Sequence, residues 1–197
     1  KKELEKFWKE MPANMMLIVR ISEAFEKRGL YPEAIQTLKN GRLKTGDAGA
    51  CHVALGKLYG ITGERSLMID EYLAAVQTNA ADLEAVENNL QQDMADSAQS
   101  AQLKQALNDR LKTEPSNESI MEMLIWYSVQ QRDFMTALNQ LKVIDRRQKG
   151  EGKRIFELAG IAGTNNAFDA AIACCGYVMS LGRNLHLYND ARNFQLQ

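Results

Sequence analysis

A helical pattern returns along this chain at a fixed interval, and it narrows the possible folds more than any other feature. Phe134 and Ala137 are followed 34 residues later by Phe168 and Ala171. The clearest single copy is Leu55 to Ala75, LGKLYGITGERSLMIDEYLAA. Leu55, Gly56 and Tyr59 share one helical face, Gly63 interrupts the helix, and Ile69, Tyr72 and Ala75 share a face of a second helix. The small Gly56 lets the partner backbone come close, and the tyrosine rings fill the space between the helices. One such pair cannot bury its own apolar face, so a chain built from them has to stack them.

Moving back by 34 from the clearest copy gives Ile18, Ile21, Phe25, Gly29, Tyr31, Ala34, Ile35 and Leu38. Moving forward, Phe134, Ala137, Leu138 and Leu141 form a fourth copy, and Ile155, Leu158, Phe168, Ala171 and Ile172 form a fifth. Phe134 and Phe168 fall where Tyr31 does, and Pro12 and Pro115 fall at the end of a repeat. This spacing of a Leu-Gly pair, an aromatic, a turn glycine and then Ala and aromatic positions resembles the tetratricopeptide repeat (TPR), whose period is about 34 residues. The resemblance implies an all-α fold: a right-handed α-α superhelix of about five hairpins with partial repeats at both ends. The expected repeats are 15–48, 49–82, 84–117 (degenerate), 118–151 and 152–185, with partial repeats at 1–14 and 186–197, all in one solenoid domain.

Composition agrees with a folded chain. The 197 residues are 45% apolar and 25% charged, with a net charge of −1. That balance gives no bulk attraction for nucleic acid or an anionic membrane. No run approaches the about 20 apolar residues of a spanning helix. The first residues, KKELEKFWKEMP, lack a signal-peptide core. They read as the second helix of an earlier repeat, so the chain is expected to begin within a longer protein. The compartment is left open: cytoplasmic or, after removal of an upstream signal, periplasmic or cell-envelope. Three cysteines are too few for a disulfide scaffold. Cys174 and Cys175, inside AAIACCGYVM, read as small buried residues.

Along the chain, Leu4, Phe7 and Trp8 form an apolar stripe that Pro12 ends. Helices are expected over Met16 to Lys27, from Pro32 to about Arg42, over Ala50 to Ile61 and over Glu64 to Thr78. In the degenerate repeat, Leu83, Val86, Leu90 and Met94 make one face and Leu103, Ala106, Leu107 and Leu111 the other, with ADSAQSAQ as the turn. Ile120 to Gln131, Phe134 to Arg147, Arg154 to Ala162 and Phe168 to Leu181 complete the hairpins. Leu185 to Phe194 is a further first helix. Alternating β-branched runs are absent.

The chain shows no constellation for catalysis. His52 and His186 are far apart in sequence, and Cys51-His52 has no second cluster at metal-ligand spacing. His52 reads as a partly buried packing residue. There is no phosphate loop and no G-x-S-x-G elbow. Asp70-Glu71 and Asp145 read as solvated helix faces. Arg146, Arg147 and Lys149 suit a helix C-terminus, and the nine methionines read as core filler. No cofactor or metal is expected.

In the family this chain resembles, the first helices line a concave groove that binds peptides or partner helices. Carried over, the groove residues are Val19, Glu23, Glu26 and Lys27, then Val53 and Lys57, then Glu122, Trp126 and Gln130, then Phe156. Trp126 is the natural anchor, with Tyr127 inside, because aromatic residues dominate interface energetics. A register shifted by one would instead put Trp126 in the core. The basic and asparagine clamp that some chaperone-linked relatives use for a C-terminal carboxylate is absent, because Val19, Glu23, Val53 and Lys57 stand there. The resemblance implies a non-catalytic scaffold that binds another protein or peptide, without nucleic acid or membrane insertion. Self-association is expected through exposed apolar ends around Phe7-Trp8 and Leu185-Leu187. The alternative is a regulatory or targeting segment of a larger enzyme or cell-envelope assembly. The style of DF-x-x-AL-x-QL followed by GEGKR resembles bacterial TPR proteins.

Overall fold

The computed structural model describes residues 2–91, 94 and 96–195. Among them there are twelve α-helices, one 3-10 turn and no strand. The fold is all-α. The chain divides into two compact units, Lys1–Gln92 and Asp93–Gln197.

The first unit holds α1 (Lys2–Glu10), α2 (Met15–Glu26), α3 (Tyr31–Thr45), α4 (His52–Thr62), α5 (Arg65–Thr78), the 3-10 turn Ala80–Asp82 and α6 (Leu83–Leu90). Helix α2 pairs with α3 and α4 with α5, α3 meets α4, and α6 packs on α4 and α5. The second unit holds α7 (Ser97–Thr113), α8 (Glu118–Gln130), α9 (Phe134–Gln148), α10 (Lys153–Thr164), α11 (Phe168–Ser180) and α12 (Leu187–Gln195). There α8 pairs with α9 and α10 with α11, α7 packs on α8, and α12 lies on α11 and α10.

The repeat register is written into the backbone of the turns. Gly29, Gly63, Arg132 and Asn166 occupy the same repeat position, and all four have positive φ, at 73°, 81°, 57° and 60°. In each hairpin the next residue donates its N–H back across the turn: Leu30 to Phe25, Glu64 to Tyr59, Asp133 to Ser128 and Ala167 to Ala162, at 2.8–3.0 Å. This closes the first helix with a left-handed residue and fixes the entry of the second. Only two of the four residues are glycine. Arg132 adopts the left-handed region although a Cβ disfavours it.

The clearest hairpin is held by one close approach. A Cβ on Gly56 would overlap the ring of Tyr72. Tyr59 and Tyr72 are buried, at 5% and 2% exposure, and fill the space between α4 and α5. Gly41 does the same between α2 and α3, where a Cβ would lie 2.6 Å from Ile18. In the second unit one continuous apolar core runs from Met121 and Ile125 through Phe134, Leu138, Ile155 and Leu158 to Cys174, Val178 and Leu187. Cys174 and Cys175 are fully buried thiols.

The degenerate stretch departs from expectation in two ways. Helix α6 ends at Leu90, so Met94 does not extend its face. The segment expected as the turn is largely helical: α7 begins at Ser97, capped by Asp96, whose carboxylate accepts from Ala98 N and Gln99 N. An Asp at the N-cap satisfies two orphan donors, and nothing in SAQSAQ breaks a helix. Leu103 and Leu107 are buried, as the face drawn from the sequence requires.

Candidate functional site

In each unit an ion pair links the first helices of two neighbouring hairpins. In the first unit the Lys57 ammonium of α4 sits 2.5 Å from the Glu26 carboxylate of α2. In the second unit Arg154 of α10 grips Glu122 of α8 with both terminal nitrogens, each at 2.6 Å. The two pairs are 31 and 32 residues apart in sequence, close to one repeat. Hydrogen bonding to Glu122 outweighs desolvation and holds the Arg154 guanidinium above its ordinary pKa.

Glu122, Trp126 and Val129 follow one another at helical spacing, so the ion pair with Arg154 places Trp126 on or beside the same face. Trp126 is half-buried, whereas Tyr127 is buried and its hydroxyl lies 2.9 Å from Ser100 Oγ. Among the remaining candidates, Glu23, Lys27 and Gln130 are exposed, and Val19 and Val53 are half-buried. Phe156 is half-buried and meets Phe194 of α12 edge-on, with ring centres 6.1 Å apart. At that end α12 covers part of the candidate surface.

A polar node that no local pattern marks joins α3, α4 and α5. Arg42 of α3 donates to both carboxylate oxygens of Glu71 on α5, at 2.9 and 2.7 Å, and through Nε to the Ala50 carbonyl at 2.7 Å. His52 Nδ1 lies 2.6 Å from Glu71 Oε2 and 2.8 Å from Arg42 Nη2. The three side chains are 13–17% exposed. Glu71 is therefore not on a solvated face. Burial pushes its pKa up, but the hydrogen bonds from Arg42 and His52 more than offset this, and the carboxyl is held below its ordinary range. Asp145 is also engaged: it accepts from the Tyr177 hydroxyl at 3.0 Å and the Gly152 N–H at 3.0 Å. Lys142 and Arg146 lie over the Tyr177 ring.

The expected exposure at the ends is redistributed. Leu187 is 8% exposed, packed under α11, and Trp8 donates to Thr37 Oγ1 at 3.0 Å. The large apolar side chains open to solvent on the last hairpin are Phe168 at 61%, Ile172 at 47% and Ile161 at 43%. Phe7 is 38% exposed and meets Phe25 edge-on. No helix of the described residues is long and apolar enough to cross a membrane. They hold no group of three or more potential metal-ligating His, Cys, Asp or Glu side chains.

No protein-family model matches the chain, and no curated protein matches it. Among solved structures it is similar to TTC0263, a thermophilic TPR protein from Thermus thermophilus, at 11% identity over 93% of this chain and 100% of that one, with a TM-score of 0.42. It is also similar to the TPR domain of P58(IPK), at 15% identity over 98% of this chain and 58% of that one, with a TM-score of 0.34. Likenesses this distant supply no residue correspondences.

Proposed function

We propose that the chain is a non-catalytic protein-interaction scaffold that binds a peptide or partner helix along the groove face of its first helices. The observation that supports this reading most is the Glu122–Arg154 pair, which joins α8 to α10 on the side where Trp126 stands half-buried. An aromatic ring held beside a rigid ion pair is a suitable interface anchor. In the first unit the equivalent face carries Val19, Glu23, Glu26, Lys27, Val53 and Lys57, with Glu26 and Lys57 paired. The cations at Lys57 and Arg154 already hold carboxylates. The face is therefore better suited to apolar and hydrogen-bonding ligands than to a free carboxylate.

The test is capture of binding partners by the wild-type chain beside a Trp126→Ala, Glu122→Lys double variant. The expected result is loss of the bound proteins in the variant, with the helical content unchanged by circular dichroism. Retention of every partner would move the interface off the first helices. Self-association through the exposed Phe168 and Ile172 is a second element of the proposal. Sedimentation of the wild type beside Ile172→Lys tests it, and a monomer at all concentrations for both would overturn it.

A further inference from the structure

A separate cleft of about 750 Å3 lies between α1 and α3, both second helices in the repeat pattern and away from the groove residues. Its volume is within the range of about 300–1,000 Å3 typical of ligand sites. Its apolar walls are Leu4, Trp8, Pro32 and Leu43. Leu43 is 82% exposed, the most exposed of the large apolar side chains among the described residues.

The two helices run in parallel, which gives the cleft two different ends. Trp8 bonds Thr37, and farther along Lys44 Nζ donates to the Lys9 carbonyl at 2.6 Å and to the Met11 carbonyl. Glu5 and Glu33 therefore mark one end, and Lys9 and Lys44 the other. Glu5 and Glu33 make no ion pair among the described residues. Lys44 gives two of its three N–H donors to carbonyls and makes no ion pair among the described residues. Between the ends, the Gln36 side-chain amide donates to the Asn40 side-chain carbonyl at 3.1 Å. Both residues line the cleft, and their bond leaves one amide carbonyl and one amide NH2 unspent. Exchanging the O and N assignments leaves the same pair.

We propose that this cleft binds an extended segment of a partner protein in which a cationic and an acidic residue flank apolar side chains. The leftover carbonyl and NH2 complement the N–H and C=O of one residue of an extended chain, which point to the same side. A helical ligand has already used its backbone groups internally and cannot engage them. The charges set the spacing. From Glu33 to Lys44 is 11 residues of α3, or about 16 Å at about 1.5 Å per residue. An extended chain advances about 3.3 Å per residue, so its cation and anion stand about five residues apart. A helical ligand would need them about eleven apart.

The experiment measures fluorescence anisotropy of a fluorescein-labelled, end-blocked peptide, Arg-Leu-Thr-Val-Leu-Glu, titrated with the full chain. The control peptide, Leu-Thr-Arg-Glu-Val-Leu, has the same composition with the charges adjacent. The expected result is saturable binding of the first peptide and at least about tenfold weaker binding of the control. Leu43→Ser, at a site too exposed to unfold the chain, weakens binding about fivefold or more. Glu33→Lys weakens it about tenfold, and a peptide with Glu in place of Arg recovers the loss. Trp126→Ala leaves binding unchanged, which separates this site from the groove on the first helices. The proposal is overturned by any of three results: no saturable binding, equal binding of the control, or tighter binding of a helical peptide with its charges eleven residues apart.

Discussion

Helices α9 and α11 carry the same pattern and meet different fates. Phe134 and Phe168 occupy one repeat position, yet their exposures are 3% and 61%. Leu138 and Ile172 occupy another, at 0% and 47%. Helix α9 is packed against both α10 and α11, whereas beyond α11 the described residues supply only α12. Repeat position decides where a side chain points, and the following hairpin decides whether it leaves water. Equal residues at equal positions therefore differ in what they contribute to stability.

The sharpest way to break this comparison is to truncate both rings. Phe134→Ala is expected to cost about 3–5 kcal/mol, the usual range for a buried phenylalanine. Phe168→Ala should stay within about 1 kcal/mol. Chemical denaturation measures both, and equal losses would mean that α11 is covered in solution. A second contrast sets the half-buried Arg42–Glu71 pair against the more open Glu122–Arg154 pair. Glu71→Gln leaves Arg42 without its bidentate acceptor and should cost about 1–3 kcal/mol. Glu122→Gln should cost about 0–1 kcal/mol, since Arg154 is half exposed. The pH profile gives the same contrast a sign. The Glu71 carboxyl is depressed in the folded state, so its stabilisation is present above its ordinary value of 4.5 and disappears as pH falls through the folded value. Wild type should lose more stability than Glu71→Gln between about pH 5 and pH 3. Parallel profiles would remove Glu71 from the account.

A third comparison concerns how the hairpins share volume. At one pair of repeat positions the second hairpin has Gly56 with Tyr72, and the fifth has Ala159 with Cys175. Gly56→Leu should destabilise by about 1–3 kcal/mol through overpacking. Gly56→Ala should do so less, since one methyl asks less of the Tyr72 ring than a leucine side chain does. An unchanged melting temperature in Gly56→Leu would place the close helix approach elsewhere. The smallest effect is at the turns. Arg132→Gly relieves a left-handed residue and should gain about 0.5–1 kcal/mol after the entropy of glycine is counted. Asn166→Gly should be near neutral, because asparagine tolerates that region.

Much of the fold was legible because it is repeated. Gly63 fixed a register, and in it Arg132 and Asn166 take the left-handed turn position without being glycine. For Trp126 and Tyr127 the sequence left two registers open; Tyr127 is buried and Trp126 half-buried. The Arg42–His52–Glu71 node was not legible. Its members lie 29 and 19 residues from one another, beyond any local window, and Glu71 sits next to Asp70, which is exposed. The start of α7 was misread for the opposite reason: Asp96 is a local cap signal, but the period that frames the other hairpins fails there. The cleft between α1 and α3 was hidden because Leu4 and Trp8 read as an ordinary stripe and Leu43 lay past the expected end of its helix, which runs on to Thr45.

The polar links between neighbouring hairpins bear on how such a chain tolerates editing. Trp8–Thr37, Glu26–Lys57, Arg42–Glu71, Glu122–Arg154 and Asp145–Tyr177 each span 29–32 residues. A single residue inserted within a helix turns everything after it by about 100°, which would swing one member of a link away from the other. Duplicating or removing a whole hairpin would leave the next set of partners facing each other. Genes for such chains should therefore change length in whole hairpins far more readily than in single codons, with these links acting as the proofreader.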